Sequence, residues 1–317
     1  MSSTLGIIAA FITLACWTIG TFSFTRASQL YDPGSVNRVR LLYAAVLLSI
    51  VTCAVGRISP ASLFSIPSGM HWVWLGISGI VGLSIGDHFA FSAYKIMGSS
   101  RTSLFNTFAP GAALIGGYIM LGEHIHFIGL TGMAISVSGI IWFIQSRSSR
   151  EDDAIDRSTL IKGLVYATLG ALCQGFGLVF AKKGLVLDLG DGRLNPLHAT
   201  WIRMFVATVA IYASGLLRVN MIRELKDVML TPAILRPVST GTLFGPVIGV
   251  SMSLYAASVI EVSLAQTIFS LLPVSVILTA FVLGKEKLEL RSLVAALIGV
   301  GGVFVLVWRD DILALFR

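Results

Sequence analysis

Apolar residues in this chain come in long runs separated by short polar stretches. An α-helix needs about 20 mostly apolar residues to cross the core of a bilayer. Such runs occur at 4–24, 36–55, 71–93, 103–121 and 125–144, and again at 160–181, 199–217, 241–260, 263–283 and 290–308. The pattern predicts an all-α polytopic membrane protein of ten spanning helices. Five lie on each side of the most charged stretch, RSSREDDAIDRS at 147–158. The chain therefore divides into a first unit at 1–145, a polar linker at 146–159 and a second unit at 160–317. Arg38, Arg40 and Arg291 break the apolar pattern near the starts of the second and tenth runs. Segment 221–237 mixes charged residues with Leu, Val and Met, and reads as a short interfacial helix or as a loop. The first run is too long for the apolar core of a signal peptide and predicts a first span.

The two units resemble each other. A shift of 163 residues lays Arg40 on Arg203, Ser100 on Ser263, Pro110 on Pro273, Glu123 on Glu286 and Gly139 on Gly302. Near the front of each unit a shift of 157 pairs Gly6 with Gly163, Cys16 with Cys173 and Gly20 with Gly177. Five spans is an odd number, so the second unit enters the membrane from the opposite side and the repeat is inverted. Inverted repeats are a common construction of secondary transporters, which bind solute near the bilayer midplane where the halves meet.

Composition removes other classes. Hydrophobic residues make up 55% of the chain, charged residues 12%, and the mean hydropathy is +0.86. A soluble domain carries roughly a quarter charged residues. The net charge of +7 comes from basic residues scattered in ones and twos, with no basic stripe, so nucleic acid is not an expected partner. Cys16, Cys53 and Cys173 lie inside apolar runs without metal-ligand spacing and read as packing thiols.

Two stretches carry a family resemblance. One is AYKIMGSSRTSLFNTFAPGAALIGGYIMLGE at 93–123, and the other is YAASVIEVSLAQTIFSLLPVSVILTAFVLGKE at 255–286. Each joins an aromatic-small pattern and a Gly/Ser or similar turn to a span with a central Pro and a Gly-Glu ending. They resemble the EamA-type domain of the drug/metabolite transporter superfamily, present twice. In the second copy Lys285 interrupts the Gly-Glu ending. The resemblance implies secondary transport by alternating access, with export of a small metabolite such as an amino acid or related compound. It also implies cytoplasmic termini in a cell membrane. The excess of Lys and Arg at the helix ends opposite the termini argues the other orientation. Two other readings stay open: a broad exporter of drugs or cationic compounds, and a membrane receptor or scaffold that transports nothing.

Candidate chemistry rests on polar residues inside the apolar runs. Asp87 and His88 stand well inside the third run. A carboxylate at bilayer depth is costly unless it faces a cavity or a partner, and such groups often serve as proton relays. Asp87 is thus a candidate proton carrier with His88 as a relay, or a structural acid bonded to a facing helix. Tyr94 lies two helical turns beyond Asp87 on the same face, where it meets either the solute or the headgroups. Asn106 with Pro110, and Gln266 and Ser270 with Pro273, mark equivalent spans; the prolines predict kinks that free backbone carbonyls toward a cavity. Trp17 and Thr21 in the first span, Gln174 in the sixth and Tyr255 in the eighth complete the candidate solute site. The alternative for each is packing or interhelical hydrogen bonding. Glu123 and Glu286 read as helix-end residues, and Lys182 and Lys183 as anchors at the headgroups.

The chain has no GxxxxGK phosphate loop, no HExxH and no GxSxG elbow, so neither an enzyme nor a cofactor is expected. His124 and His126 lack companions at ligand spacing, and no metal site is expected. The expected partners are a small-molecule solute and the lipid bilayer, in a protein that works as a monomer or a homodimer.

Overall fold

The computed structural model describes residues 2–123, 127–145, 156–186, 194–215, 221–283 and 290–314, and all the secondary structure among them is helical. His124, His126, Lys285, Glu286 and most of the polar linker lie outside the described residues. In the first unit α1 is Ser2–Leu30, α2 Pro33–Gly56, α3 Gly69–Ser99, α4 Ala109–Leu121 and α5 Phe127–Gln145. In the second unit α6 is Arg157–Leu185, α7 Pro196–Gly215, α8 Met221–Leu230, α9 Pro232–Val259, α10 Val262–Val282 and α11 Leu290–Val307. Among the described residues six helices (α1, α2, α3, α6, α9 and α10) are long and apolar enough to cross a membrane. Shorter apolar stretches lie in α4, α5 and α11. Helix α7 runs for 20 residues and carries Arg203 and His198, both buried. The chain is an integral multi-pass membrane protein.

Local signals fix the helix starts. Asp32 caps α2 by accepting the Ser35 backbone N–H at 2.8 Å, and Pro33 opens the helix. Helix α2 therefore begins three residues before its apolar run, and Arg40 sits about 10 Å along the axis rather than at the end. Asp156 caps α6 through the Ser158 and Thr159 backbone N–H groups at 3.1 and 3.3 Å. Segment 221–237 resolves into a helix: α8 is amphipathic and buries Val228. Its Glu224 accepts from Ser35 at 2.9 Å and pairs with Arg38 at 3.5 Å, while Tyr31 donates to Asp227 at 2.9 Å. Arg38, one of the pattern-breaking arginines, thus serves a clasp between the units.

The helices of the two units exchange partners. Helix α1 packs along α9 and α6 along α3, while α2 pairs with α7, α5 with α11 and α4 with the start of α10. The beginning of α1, the ends of α4, α6 and α9 and the start of α10 line one common cleft, so α1 begins at the face where α6 ends. Helices α5 and α11 run against each other with backbone in contact. A Cβ at Gly132 would lie 2.7 Å from the Leu306 amide nitrogen and 2.8 Å from the Gly302 carbonyl oxygen. Small residues permit this approach, which in lipid supplies van der Waals packing where no hydrophobic drive exists between helices.

Both units also carry the same irregularities. Helix α3 winds as a π-helix over Gly79–Gly86, and α9 does so over Leu243–Val250. Each of these helices is also broken near its C-terminal end. In the first unit Gly98 takes φ 77°, and in the second Ile260 is extended at φ −128°. Pro110 and Pro273 do not kink continuous helices. Each stands in the first turn of a new helical segment, after the 3-10 turn Phe105–Phe108 in one unit and after the turn at Ser270 and Leu271 in the other. Proline suits that position because the first turn needs no N–H donor.

Candidate functional site

Where the two units meet, the π-helical stretches and helix breaks surround a cavity of about 110 Å³. Helix α1 contributes Trp17, Thr21 and Phe24; α3 contributes Asp87, Phe91 and Tyr94; Asn106 comes from the break before α4. The second unit adds Gln174 from α6, Pro246 from α9 and Gln266 and Phe269 from α10. Irregular backbone at this depth is tolerated where it lines a cavity, and π-helical turns recur at functional sites.

Arg40, Asp87 and Gln174 form the polar centre. Arg40 Nη1 donates to Asp87 Oδ2 at 2.6 Å, and Gln174 Nε2 donates to Asp87 Oδ1 at 2.9 Å. Both carboxylate oxygens therefore have a donor. The Arg40 guanidinium lies 5.5 Å from the Phe24 ring centroid and 5.4 Å from that of Phe91, and those two rings stack at 4.8 Å. Arg203, the residue that the repeat lays on Arg40, is buried behind Gly82. A Cβ there would lie 3.4 Å from Arg203 Nη2. Asp87 and Gln174 close a loop with the same residue, since the Asp87 backbone N–H and the Gln174 amide both reach the Gly82 carbonyl oxygen. Asn37 donates to the Leu83 and Ser84 carbonyl oxygens at 3.1 and 3.3 Å, satisfying backbone that the π-helix exposes.

The structure gathers seven of the candidate residues, Trp17, Thr21, Asp87, Tyr94, Asn106, Gln174 and Gln266, around this one cavity. Trp17 packs tilted against Phe269 with ring centroids 4.9 Å apart and fits because Gly249 has no side chain. Tyr94 is buried in the cavity wall beside Thr21. Gln266 crosses to donate to the Gln174 carbonyl oxygen at 3.3 Å. The others lie elsewhere. His88 is adjacent to Asp87 in sequence, but its ring faces Gly34 at the start of α2. Ser270 is buried and donates to the Thr267 carbonyl oxygen at 2.6 Å. Tyr255 packs against the main apolar core.

Lys182 and Lys183 bind between the units rather than reaching out as headgroup anchors. Lys182 Nζ lies 2.7 Å from Glu123 Oε1 and donates to the Ile260 carbonyl oxygen at 2.6 Å. Lys183 Nζ donates to the Met120 carbonyl oxygen at 2.9 Å, and Glu123 accepts the Val262 backbone N–H at 3.1 Å. Helix ends leave carbonyls without partners, and the two lysines supply donors to those of α4 and α9. Beside them Arg309 Nη2 donates to both carboxylate oxygens of Glu261 at 2.7 Å.

A model of the EamA-like transporter family matches the chain twice, over residues 4–145 and 161–308. The chain belongs to the EamA-like transporter family. Its two EamA domains place it among the drug/metabolite transporters, and as a member of that family it is a membrane transporter rather than an enzyme. A crystal structure of another protein resembles this EamA-family chain over 95% of both chains, with a TM-score of 0.70 and 16% identity, and that likeness shows the fold. No curated protein matches the sequence.

Proposed function

We propose that the chain is a secondary transporter of ten spans in two inverted repeats, working as a monomer or homodimer in the cell membrane, and that it exports a small metabolite of the amino-acid kind by alternating access. The observation that carries this reading is the central cavity, which draws walls from the interrupted helices of both units. Inversion is supported by helix direction: α1 begins where α6 ends, and α4 ends where α10 begins.

Polar contacts between the units sit on either side of the cavity. Glu123, Lys182 and Lys183 tie α4, α6, α9 and α10 at the face that holds the start of α1. Glu224 and Asp227 tie α8 to the end of α1 and the start of α2. In an alternating-access cycle these two clasps release in turn. Asp87 is the ionisable group placed to carry a proton, and its bonds to Arg40 and Gln174 would change with its charge.

Flux in proteoliposomes tests the reading. Amino acids, purines, sugars, organic acids and cationic dyes are loaded in turn under an imposed pH gradient, with wild type and Asp87→Asn compared. Saturable flux of one class that loses its pH dependence in the variant supports a proton-coupled transporter. Saturable flux with unchanged pH dependence leaves transport and removes Asp87 from the coupling. Leak-level flux of every class from folded protein contradicts the reading.

A further inference from the structure

The charges around the central cavity are unequal in number. Arg40 and Asp87 line it, and Arg203 lies buried behind Gly82. One carboxylate thus faces two guanidiniums, both of which stay charged in proteins. Cys173 and Tyr94 are the other titratable side chains that face Asp87, from α6 and α3. The walls from α1, α9 and α10 bring Trp17, Pro246, Gln266 and Phe269, which carry no charge.

Arg40 also has donor capacity left over. Its side chain is 3% exposed, and Nε, buried, has no hydrogen-bond partner among the described residues. Phe24 and Phe91 hold the guanidinium through contacts that do not depend on Asp87. A cationic solute seeking Asp87 would have to displace Arg40 and leave two buried guanidiniums with no carboxylate between them. A carboxylate meets the opposite circumstance, since guanidinium binds it in a planar, two-bond fork. Around that fork the walls are mostly apolar and aromatic, from Trp17, Phe24, Phe91 and Phe269.

Resting on the transporter reading, we infer that the cavity takes a small organic carboxylate with an apolar body, bound by Arg40, and that a proton from the medium binds Asp87 as the solute enters. The solute carboxylate takes the place of Asp87 on Arg40, and the proton neutralises the carboxyl so displaced. One negative charge and one positive charge enter together, so the net charge of the site is the same full and empty. Solute and proton then travel in the same direction. Export draws on the solute's own gradient, and an inward proton gradient opposes it.

The test is binding to the purified full chain in nanodiscs, read from Trp17 quenching, with other emission subtracted in a Trp17→Phe control. The probes are phenylacetate, its neutral amide, phenethylamine and inorganic phosphate. Phenylacetate is expected to bind at least tenfold tighter than either the amide or the amine, about tenfold tighter at pH 6 than at pH 7, and with uptake of a proton. Asp87→Asn is expected to keep phenylacetate binding and abolish its pH dependence. Arg40→Gln is expected to lose it. Because that variant leaves Asp87 unpaired, the doubly neutral Arg40→Gln/Asp87→Asn provides a folded comparison that must also fail to bind. Tighter binding of the amine or the amide, or an Arg40→Gln/Asp87→Asn protein that binds phenylacetate like wild type, overturns the inference. Preference for phosphate overturns the carboxylate assignment. Carboxylate binding with no flux of any solute would instead count against the transporter reading, and flux of cations alone would spare that reading while sinking this one.

Discussion

Replacing Lys182 with Met should open the face that Glu123 and Lys182 hold shut. The two side chains are 11% and 13% exposed and meet at 2.7 Å. Removing one partner of a buried ion pair costs about 3–5 kcal/mol. Partial exposure screens the pair, and Glu123 keeps its bond to the Val262 N–H at 3.1 Å, which lowers the loss to about 2 kcal/mol. Water solvates both groups once the helices part, so the loss falls on the closed state alone. A loss of that size shifts the closed-to-open ratio by roughly 30-fold. Leu264 is 5% exposed and lines the cleft beneath the clasp, so it reports the opening. With Cys16, Cys53 and Cys173 replaced, Leu264→Cys should react with a charged maleimide about 30-fold faster in the Lys182→Met protein than in its parent. Lys182→Arg should keep the slow rate. Equal rates in two preparations with the same helical content would refute the argument that this ion pair closes the face.

Three further outcomes follow from particular contacts. A Cβ at Gly302 would overlap the Ser136 backbone nitrogen across the α5–α11 seam, so Gly302→Ala should destabilise by about 1–3 kcal/mol; thermal unfolding in detergent at the wild-type Tm would contradict it. Gln174→Leu strips Asp87 Oδ1 of its donor at 2.9 Å, and a buried acceptor left unpaired costs about 1–3 kcal/mol, so this Tm should also fall. Outside the membrane, the Ser158 hydroxyl and then the Thr159 N–H hold the Asp156 carboxyl below its ordinary value of 3.8. The cap on α6 is then in full force above 3.8 and is lost as the pH falls through the lower folded value; a carboxyl NMR titration with a midpoint at or above 3.8 would contradict that bond.

The membrane class, the doubling and much of the cavity were legible in the sequence for physical reasons. Lipid imposes run length, and a carboxylate such as Asp87 or an amide such as Gln174 stands out in an apolar run because its burial demands a partner. Arg40 was not legible as that partner. It stands near the start of an apolar run, where Arg ordinarily reaches to the headgroups, and only the cap at Asp32 and Pro33 moves the helix start outward. The matching of Arg40 to Arg203 was the one signal that could have found it. The π-helical turn of α3 left only a Gly-rich string, because Asn37 and Gln174 satisfy its irregular backbone from neighbouring helices, whereas that of α9 carries Pro246, which has no N–H to give to the α-helical ladder. The clasp at Lys182 was hidden for the same reason, since an end-of-helix lysine looks alike whether it meets lipid headgroups or a carbonyl such as that of Ile260.

Solute protection tests the central claim, that the transported molecule passes through the cavity between the units. Asn106 lines that cavity from the break before α4. Asn106→Cys, in a background without the native cysteines, is labelled by a permeant maleimide in proteoliposomes with and without the solute that the flux panel identifies. The account predicts that labelling slows as solute saturates, with the same half-saturation as the flux. Saturable flux with labelling that never changes would place the solute path elsewhere.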